Sequence, residues 1–353
     1  MRPSTASAPA RVDIAGGTLD IWPLYLWHQG ARTVNAAVTL RATTRVTPIA
    51  QGIEIVSIDT GASSCGRDLA SIEGHDHTRL VVQILKALGV SAGLRIETTS
   101  RVPAGSGLGG SSALAVTIAA AVAHSLSREL SNRDLRHLVR DAEAQVILVP
   151  TGIQDYEAAI HGGVLEVGLN PGEIETRRLV DDETFVEDRI LLVDAGVTRF
   201  SGLNNWEMFK AQVDGTGGVR GLFAEIVCAA QEACLAITTE DEGGLVRAVA
   251  REWKARRCLA LGVATPEVDR IVEAAKAHAG AGKVCGAGGG GVVLVVVPRP
   301  SREALVRDLT FQGFRVLDAK VDRVGLEVGP TIHQGSPSRD GIIHGSPQPR
   351  PVA

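Results

Sequence analysis

Four glycines fall within six residues at Gly105-Ser106-Gly107-Leu108-Gly109-Gly110, between a segment that reads as strand (Leu94 to Thr98) and an alanine-rich stretch that reads as helix from about Ser111 to Ser127. Strand, glycine turn, helix is a restrictive order. Glycines leave backbone N–H groups uncovered, and the following helix aims the positive end of its dipole at the turn. The segment therefore reads as an anion site, above all for phosphate. Gly105, Gly107 and Gly110 meet the GxGxxG spacing of a dinucleotide fold. That fold also needs a second strand ending in an acid about 20 residues on. Here the helix runs into the polar Ser127-Arg128-Glu129-Leu130-Ser131-Asn132 and a further helix, Leu135 to Ile147. The ordinary phosphate loop ending in Lys-Ser/Thr is absent. Ser111 and Ser112 stand in the first helical turn, where a hydroxyl caps the helix, bonds a phosphate or ligates Mg²⁺.

A second cluster, Gly286-Ala287-Gly288-Gly289-Gly290-Gly291, repeats the spacing but leads into the apolar run Val292 to Val297, a strand. Val34 to Thr47 reads as strand with Gln51 to Ile58 as its hairpin partner, Leu80 to Leu88 as helix closed by Gly89, and Leu222 to Ala279 as mostly helical. Phe314 to Val328 reads as strands. Strands and helices mix without regular alternation, which predicts an α+β fold. A length of 353 residues suits two domains, with a boundary near Asp188. After Gly329 five of the last 24 residues are proline, without apolar periodicity, so 330–353 is expected to be a disordered tail whose removal leaves folding unchanged.

With 3% aromatics and a net charge of -4, nucleic acid and anionic membranes are not expected partners. The longest continuous apolar run is far short of the ~20 residues that span a bilayer, and the N-terminus lacks a signal-peptide core. Five cysteines without a CxxC pair fit a reducing, cytoplasmic setting. His75-Asp76-His77 has no third ligand nearby and reads as a polar loop; Trp206 and Trp253 read as packing residues.

Three segments together resemble the GHMP kinases: Ala8 to Asp20 (APARVDIAGGTLD), Pro103 to Ala113 (PAGSGLGGSSA) and Lys283 to Gly291 (KVCGAGGGG). Their order and spacing are those of the family, over about residues 8 to 328. The resemblance implies two parts: an N-terminal α+β domain with a left-handed βαβ unit (1–188), and a ferredoxin-like C-terminal domain (189–329). It implies ATP and Mg²⁺, with substrate and nucleotide meeting between the parts. Within the family, Ala15 to Asp20, Pro23-Leu24-Tyr25, Val34-Asn35-Ala36, Thr151 to Tyr156 and Thr198-Arg199 are similar to bacterial heptose 7-phosphate kinases, though galactokinases and fucokinases share some of these features.

By resemblance, Asp155 is the catalytic aspartate that takes the acceptor proton, and Arg11 stands near the transferred phosphate. Pro103, Gly105, Ser106, Gly107, Leu108, Gly109, Gly110, Ser111 and Ser112 bind ATP. Ser111 and Glu143 hold Mg²⁺, with Asp141 as a competitor for the acid. Gly17, Thr18, Asp20, Asp155, Gly288 and Gly289 touch substrate. A 7-phosphate on the acceptor requires a cation, for which Arg199 and Lys210 are candidates because guanidinium and ammonium bind phosphate. The expected partner is a small sugar or sugar phosphate. A homodimer is left open, and the rival readings are a mevalonate-type kinase and a non-catalytic sugar sensor.

Overall fold

The computed structural model describes residues 1–331 apart from 73, 75 and 198–201, with backbone alone at 76 and 202–204. Arg199 and the tail beyond Thr331 thus lie outside the described residues. The larger sheet has eight strands: β1 (Ser4–Ala15), β2 (Arg32–Pro48), β3 (Ile53–Ser57), β4 (Ser63–Gly66), β5 (Leu94–Ser100), β6 (Val164–Asn170), β7 (Glu173–Arg178) and β12 (Glu327–Gly329). Its backbone is β2. One edge carries β1; the other carries β6 beside Arg32 to Ala36 and β5 beside Ala42 to Pro48. The hairpin expected between Gln51–Ile58 and β2 does not form. Instead β3 runs parallel to β5 and antiparallel to β4, because α1 (Arg79–Ala87) serves as the crossover that a parallel pair requires. All other pairs in the sheet are antiparallel, which fits α+β and not a doubly wound sheet.

Helices α2 (Gly110–Ser125) and α4 (Gln154–His161) lie on this sheet, and α3 (Asn132–Ile147) packs against α1, α2 and α4. The alanines of α2 let it lie close on β1 and β2, with Ala113, Ala115, Val116 and Ala119 fully buried. Strand β1 serves two cores. Ala6 and Ala8 join the one beneath α2, whereas Ala10, Val12 and Ile14 join a second. Plain alternation would put all five on one face. A register shift between Pro9 and Ala10 turns the strand over, and so brings Arg11 and Asp13 to the side where α2 and α4 begin.

The second sheet has the order β11-β8-β10-β9, all antiparallel, from β8 (Ile190–Asp194), β9 (Ala281–Val284), β10 (Val292–Val296) and β11 (Arg315–Val316). With it run α5 (Thr184–Glu187), α6 (Gly202–Asp214), α7 (Val219–Thr238), α8 (Glu242–Arg256), α9 (Pro266–Ala277) and α10 (Arg302–Phe311). Residues of β1, β2, α7, α8, β8 and β10 share the second core, so the two sheets are joined through apolar packing. The chain then crosses back: Val321 bridges Val38 and β12 pairs with β1. Most of Phe314 to Val328, read as strand, is irregular. By length and composition α7 is apolar enough to cross a membrane; here Phe223, Ile226, Ala230 and Ile237 on it are buried in the cores.

Candidate active site

A cleft of about 510 Å³ lies over the first glycine loop, and a smaller cavity of about 70 Å³ adjoins it. They share Arg11, Thr151, Asp155, Asn205, Gly286 and Ala287 as common walls. Every residue from Pro103 to Ser112 lines the larger cleft. Gly105, Gly107 and Gly109 have φ of 68°, 74° and 74°, the left-handed region that glycine enters freely. The first bond within α2 runs from Ala113 N to Gly109 O, so the amides of Gly110, Ser111 and Ser112 precede any helical acceptor. Hence the loop presents N–H donors and a helix N-terminus to the cleft. At its other end Val102, Leu114, Ile147 and Val149 give an apolar wall.

Arg11 ties the loop to the chemistry. Its amide donates to Leu108 O at 2.9 Å and its Nη1 to Gly107 O at 2.5 Å. Its Nε donates to Asp155 Oδ1 at 2.7 Å. Asp155 stands in the first turn of α4. A Cβ on Gly109 would come within 2.9 Å of Asp155 Oδ2, so the glycine is needed for this approach.

Glu143 is buried, and its Oε2 accepts from Ser112 Oγ at 2.7 Å and Tyr156 OH at 2.6 Å. Burial pushes its carboxyl up, against the hydroxyl bonds of Ser111, Tyr156 and Ser112. A carboxylate strained in this way is one that a divalent cation stabilises. Ser112 is buried behind Glu143 while Ser111 is exposed in the cleft. Asp141 is instead exposed and paired with Arg140 at 2.7 Å.

Thr18 and Asp20 line the smaller cavity. Asp20 Oδ2 accepts from the amides of Ile153 (2.7 Å) and Gln154 (2.9 Å), capping α4 from outside the helix. A Cβ on Gly152 would overlap this carboxylate at 2.1 Å. Burial raises the Asp20 carboxyl to about 6 even against those two N–H bonds.

Three expected substrate contacts are not at the cavities. Gly17 lies behind Asp13: its carbonyl accepts from Arg256 Nη2 at 2.7 Å, and a Cβ would meet Asp13 Oδ2 at 2.2 Å. Gly288 and Gly289 pack against Val263, whose carbonyl accepts from Gly289 N at 3.0 Å. The second loop reaches the cavities through Gly286 and Ala287 only. Of the proposed phosphate cations, Lys210 pairs with Glu207 at 2.8 Å, away from both cavities, and Arg199 lies outside the described residues. His77 meets Ser64 Oγ at 2.9 Å, and Trp253 is buried while Trp206 stacks on Phe209.

The sequence reading missed a buried cluster of four charges behind the smaller cavity. Lys283 Nζ lies 2.7 Å from both Asp13 Oδ2 and Glu252 Oε1, and Arg256 Nη2 lies 2.7 Å from Glu252 Oε1. All four side chains are fully buried. Glu252 Oε2 accepts from Gly16 N at 2.9 Å, and Arg256 Nη1 reaches Thr18 Oγ1 at 3.1 Å. Thr18 has φ 73°, strained for a β-branched residue and held in place by these contacts. The available signal was a charge flanked by apolar residues inside a strand, in Val12-Asp13-Ile14 and in Gly282-Lys283-Val284.

Comparison with known proteins gives two family profiles: GHMP kinases N terminal domain over residues 77–163, and GHMP kinases C terminal over 232–313. A D-glycero-alpha-D-manno-heptose 7-phosphate kinase of Campylobacter jejuni is 25% identical over 345 residues, 93% of this chain and 99% of its own length. A bifunctional fucokinase/GDP-fucose pyrophosphorylase of Arabidopsis thaliana is 27% identical over 321 residues, 84% of this chain but 30% of that longer protein. Among solved structures, a D-glycero-D-manno-heptose 1-phosphate kinase from Bacteroides thetaiotaomicron superposes with a TM-score of 0.74 at 22% identity, over 93% of this chain and 99% of its own.

Proposed function

We propose that this chain, which belongs to the GHMP kinases, transfers the γ-phosphoryl group of ATP to a hydroxyl of a sugar. The observation that carries this reading is Asp155, held by Arg11 at the wall common to a phosphate-type cleft and a hydroxyl-accepting cavity. The larger cleft takes the nucleotide, with the base against Val102, Leu114, Ile147 and Val149 and the phosphates on the loop amides. The smaller takes the acceptor. Asp155 Oδ1 is engaged by Arg11, so Oδ2 orients the hydroxyl and receives its proton as transfer proceeds. Arg11 stays charged and lies beside the group in flight. Ser111 and Glu143 would hold Mg²⁺, which when bound neutralises phosphate charge. Five free thiols fit a cytoplasmic setting.

For the acceptor we propose a heptose 7-phosphate, phosphorylated at its anomeric hydroxyl. The support is the heptose 7-phosphate kinase that aligns over nearly the whole chain. Arg199 is the proposed cation for the distal phosphate. A free sugar is the second reading. It is favoured by the walls of the smaller cavity, where among the described residues Asp13, Asp20 and Asp155 face a single cation, Arg11, already paired. ATP consumption against heptose 7-phosphate, free heptose, galactose, fucose and mevalonate decides between them. A heptose 7-phosphate kinase prefers the first, and Arg199→Ala raises KM for it while leaving KM for ATP unchanged. Equal turnover of unphosphorylated sugars removes the heptose phosphate reading; turnover of mevalonate alone removes the sugar.

A further inference from the structure

Asp13 has no place in the reaction as derived above, yet it lines the smaller cavity. It is fully buried, and its two oxygens differ. Oδ2 is held by Lys283 Nζ at 2.7 Å, with Arg256 Nη2 at 3.6 Å. Oδ1 has no hydrogen-bond partner. A buried acceptor without a donor is costly, the more so on an ion. Burial would raise this carboxyl, but Lys283 and Arg256 outweigh it and hold Asp13 below the usual carboxylate range, hence ionised. Gln154 repeats the pattern from the opposite element: it is buried, lines the same cavity, and its Oε1 has no partner. Asp20 completes the set, pinned through Oδ2. Such a lining offers acceptors that have no donor of their own. It suits neighbouring O–H groups, and about 70 Å³ holds only a few water-sized groups, the edge of a sugar ring and not the whole.

We infer that Asp13 is a second carboxylate that reads the acceptor, taking a hydroxyl hydrogen at Oδ1, and that Lys283 and Arg256 are positioning residues that hold it for this. The inference rests on the sugar-kinase reading and deepens it. It makes acceptor recognition depend on both halves of the molecule, since Asp13 comes from β1 while its anchors come from β9 and α8. It also separates two roles on one strand: Arg11 serves the transferred phosphate and Asp13, two residues on, the acceptor.

The test is steady-state kinetics of Asp13→Asn on the best sugar of the panel above and on its monodeoxy analogues. A hydrogen bond to a charged group corresponds to about 10- to 100-fold in affinity. The acceptor KM should rise by that factor while the ATP KM stays within about twofold. One deoxy analogue, bound by wild type about tenfold more weakly than the parent sugar, should lose nothing further in the variant. Because Asp13→Asn removes a charge from a buried cluster, Asp13→Asn/Lys283→Met, which keeps the cluster neutral, is measured alongside and should show the same loss of discrimination. An unchanged acceptor KM, or losses that add for every deoxy analogue, would overturn the role of Asp13 and leave the sugar kinase standing. A wild type that turns over no sugar overturns both.

Discussion

The two glycine loops share one spacing and are used in opposite ways. Along the first, Gly105 to Gly110 line an open cleft and lead into a helix of 16 residues. Along the second, Gly288 to Gly291 are buried and lead into β10. A Cβ on Gly288 would meet Val263 at 2.8 Å, on Gly290 the carbonyl of Val197 at 2.3 Å, and on Gly291 the carbonyl of Ser106 at 2.7 Å. Glycines of the first loop line the space for a ligand, although Gly107, Gly109 and Gly110 also give way to Cys285, Asp155 and Val102; Gly288, Gly290 and Gly291 of the second make room for protein, including the first loop itself. The element that follows decides between these uses. A helix N-terminus leaves amides unpaired, whereas β10, an interior strand between β8 and β9, spends its amides on its neighbours.

If that contrast holds, substitutions around the first loop damage chemistry and those in the second damage stability. The largest effect is expected at Asp155. Asp155→Asn keeps the shape but cannot take a proton, so kcat should fall by roughly 10²-fold or more with ATP binding nearly intact. Turnover near that of wild type would remove Asp155 from the reaction.

Next come paired glycines. Gly109 and Gly288 both have positive φ, 74° and 86°. A side chain on Gly109 would meet Asp155 Oδ2, so Gly109→Ala should lower kcat by roughly tenfold to a hundredfold through misplacement of the carboxylate. Gly288→Ala brings its Cβ to 2.8–3.0 Å from Val263, its nearest neighbour. It should instead cost about 1–2 kcal/mol of stability from the left-handed backbone, and some degrees of Tm, with kinetics per folded molecule preserved. The reverse outcome, a stable but inactive Gly288→Ala, would break the comparison.

What the sequence revealed follows the same divide. The first loop and its helix were legible because local order carries them, and Ser111, Glu143 and Asp155, singled out by family spacing, line one cleft in the structure. Gly288 and Gly289, assigned to the substrate by resemblance, pack on Val263, and a glycine pattern does not say whether ligand or protein fills the space. The cluster of Asp13, Glu252, Arg256 and Lys283 joins three elements far apart in the chain. Pairing of that kind leaves no periodicity to read. The register shift between Pro9 and Ala10 was equally hidden, though it directs Arg11 and Asp13 to the site. So was the parallel pairing of β3 with β5, since a β-branched run does not name its partner.

A smaller effect separates the two serines of α2. Ser112 bonds Glu143 and is buried, whereas Ser111 is exposed in the cleft. Ser111→Ala should therefore raise the Mg²⁺ concentration needed for half-maximal rate more than Ser112→Ala does, by several-fold (about 1 kcal/mol for one oxygen contact). Ser112→Ala should act mainly by loosening Glu143, seen as a lower Tm. A larger Mg²⁺ shift in Ser112→Ala would reassign the hydroxyl.

The smallest effect is a pH dependence, and it runs in two directions. Burial lifts the Asp20 carboxyl from an ordinary 3.8 to about 6. The folded chain thus keeps a proton that the unfolded chain gives up between about pH 4 and 6. The native state then binds more protons than the unfolded one. The contribution of Asp20 to stability is full below that window and declines as pH rises through it. Acceptor binding has the opposite sign, because the ionised carboxylate is the better hydrogen-bond acceptor. In titrations of the acceptor without ATP, wild-type affinity should rise by several-fold from about pH 5 to 7, on the scale of about 1 kcal/mol for a charged against a neutral acceptor. The inflection should lie near 6. Asp20→Asn should lose that inflection and bind weakly throughout, while its Tm relative to wild type improves as pH climbs from 4 to 6. A wild-type affinity flat across this range would mean that Asp20 caps α4 without touching the acceptor, leaving Asp13 and Gln154 to read the hydroxyls of the cavity.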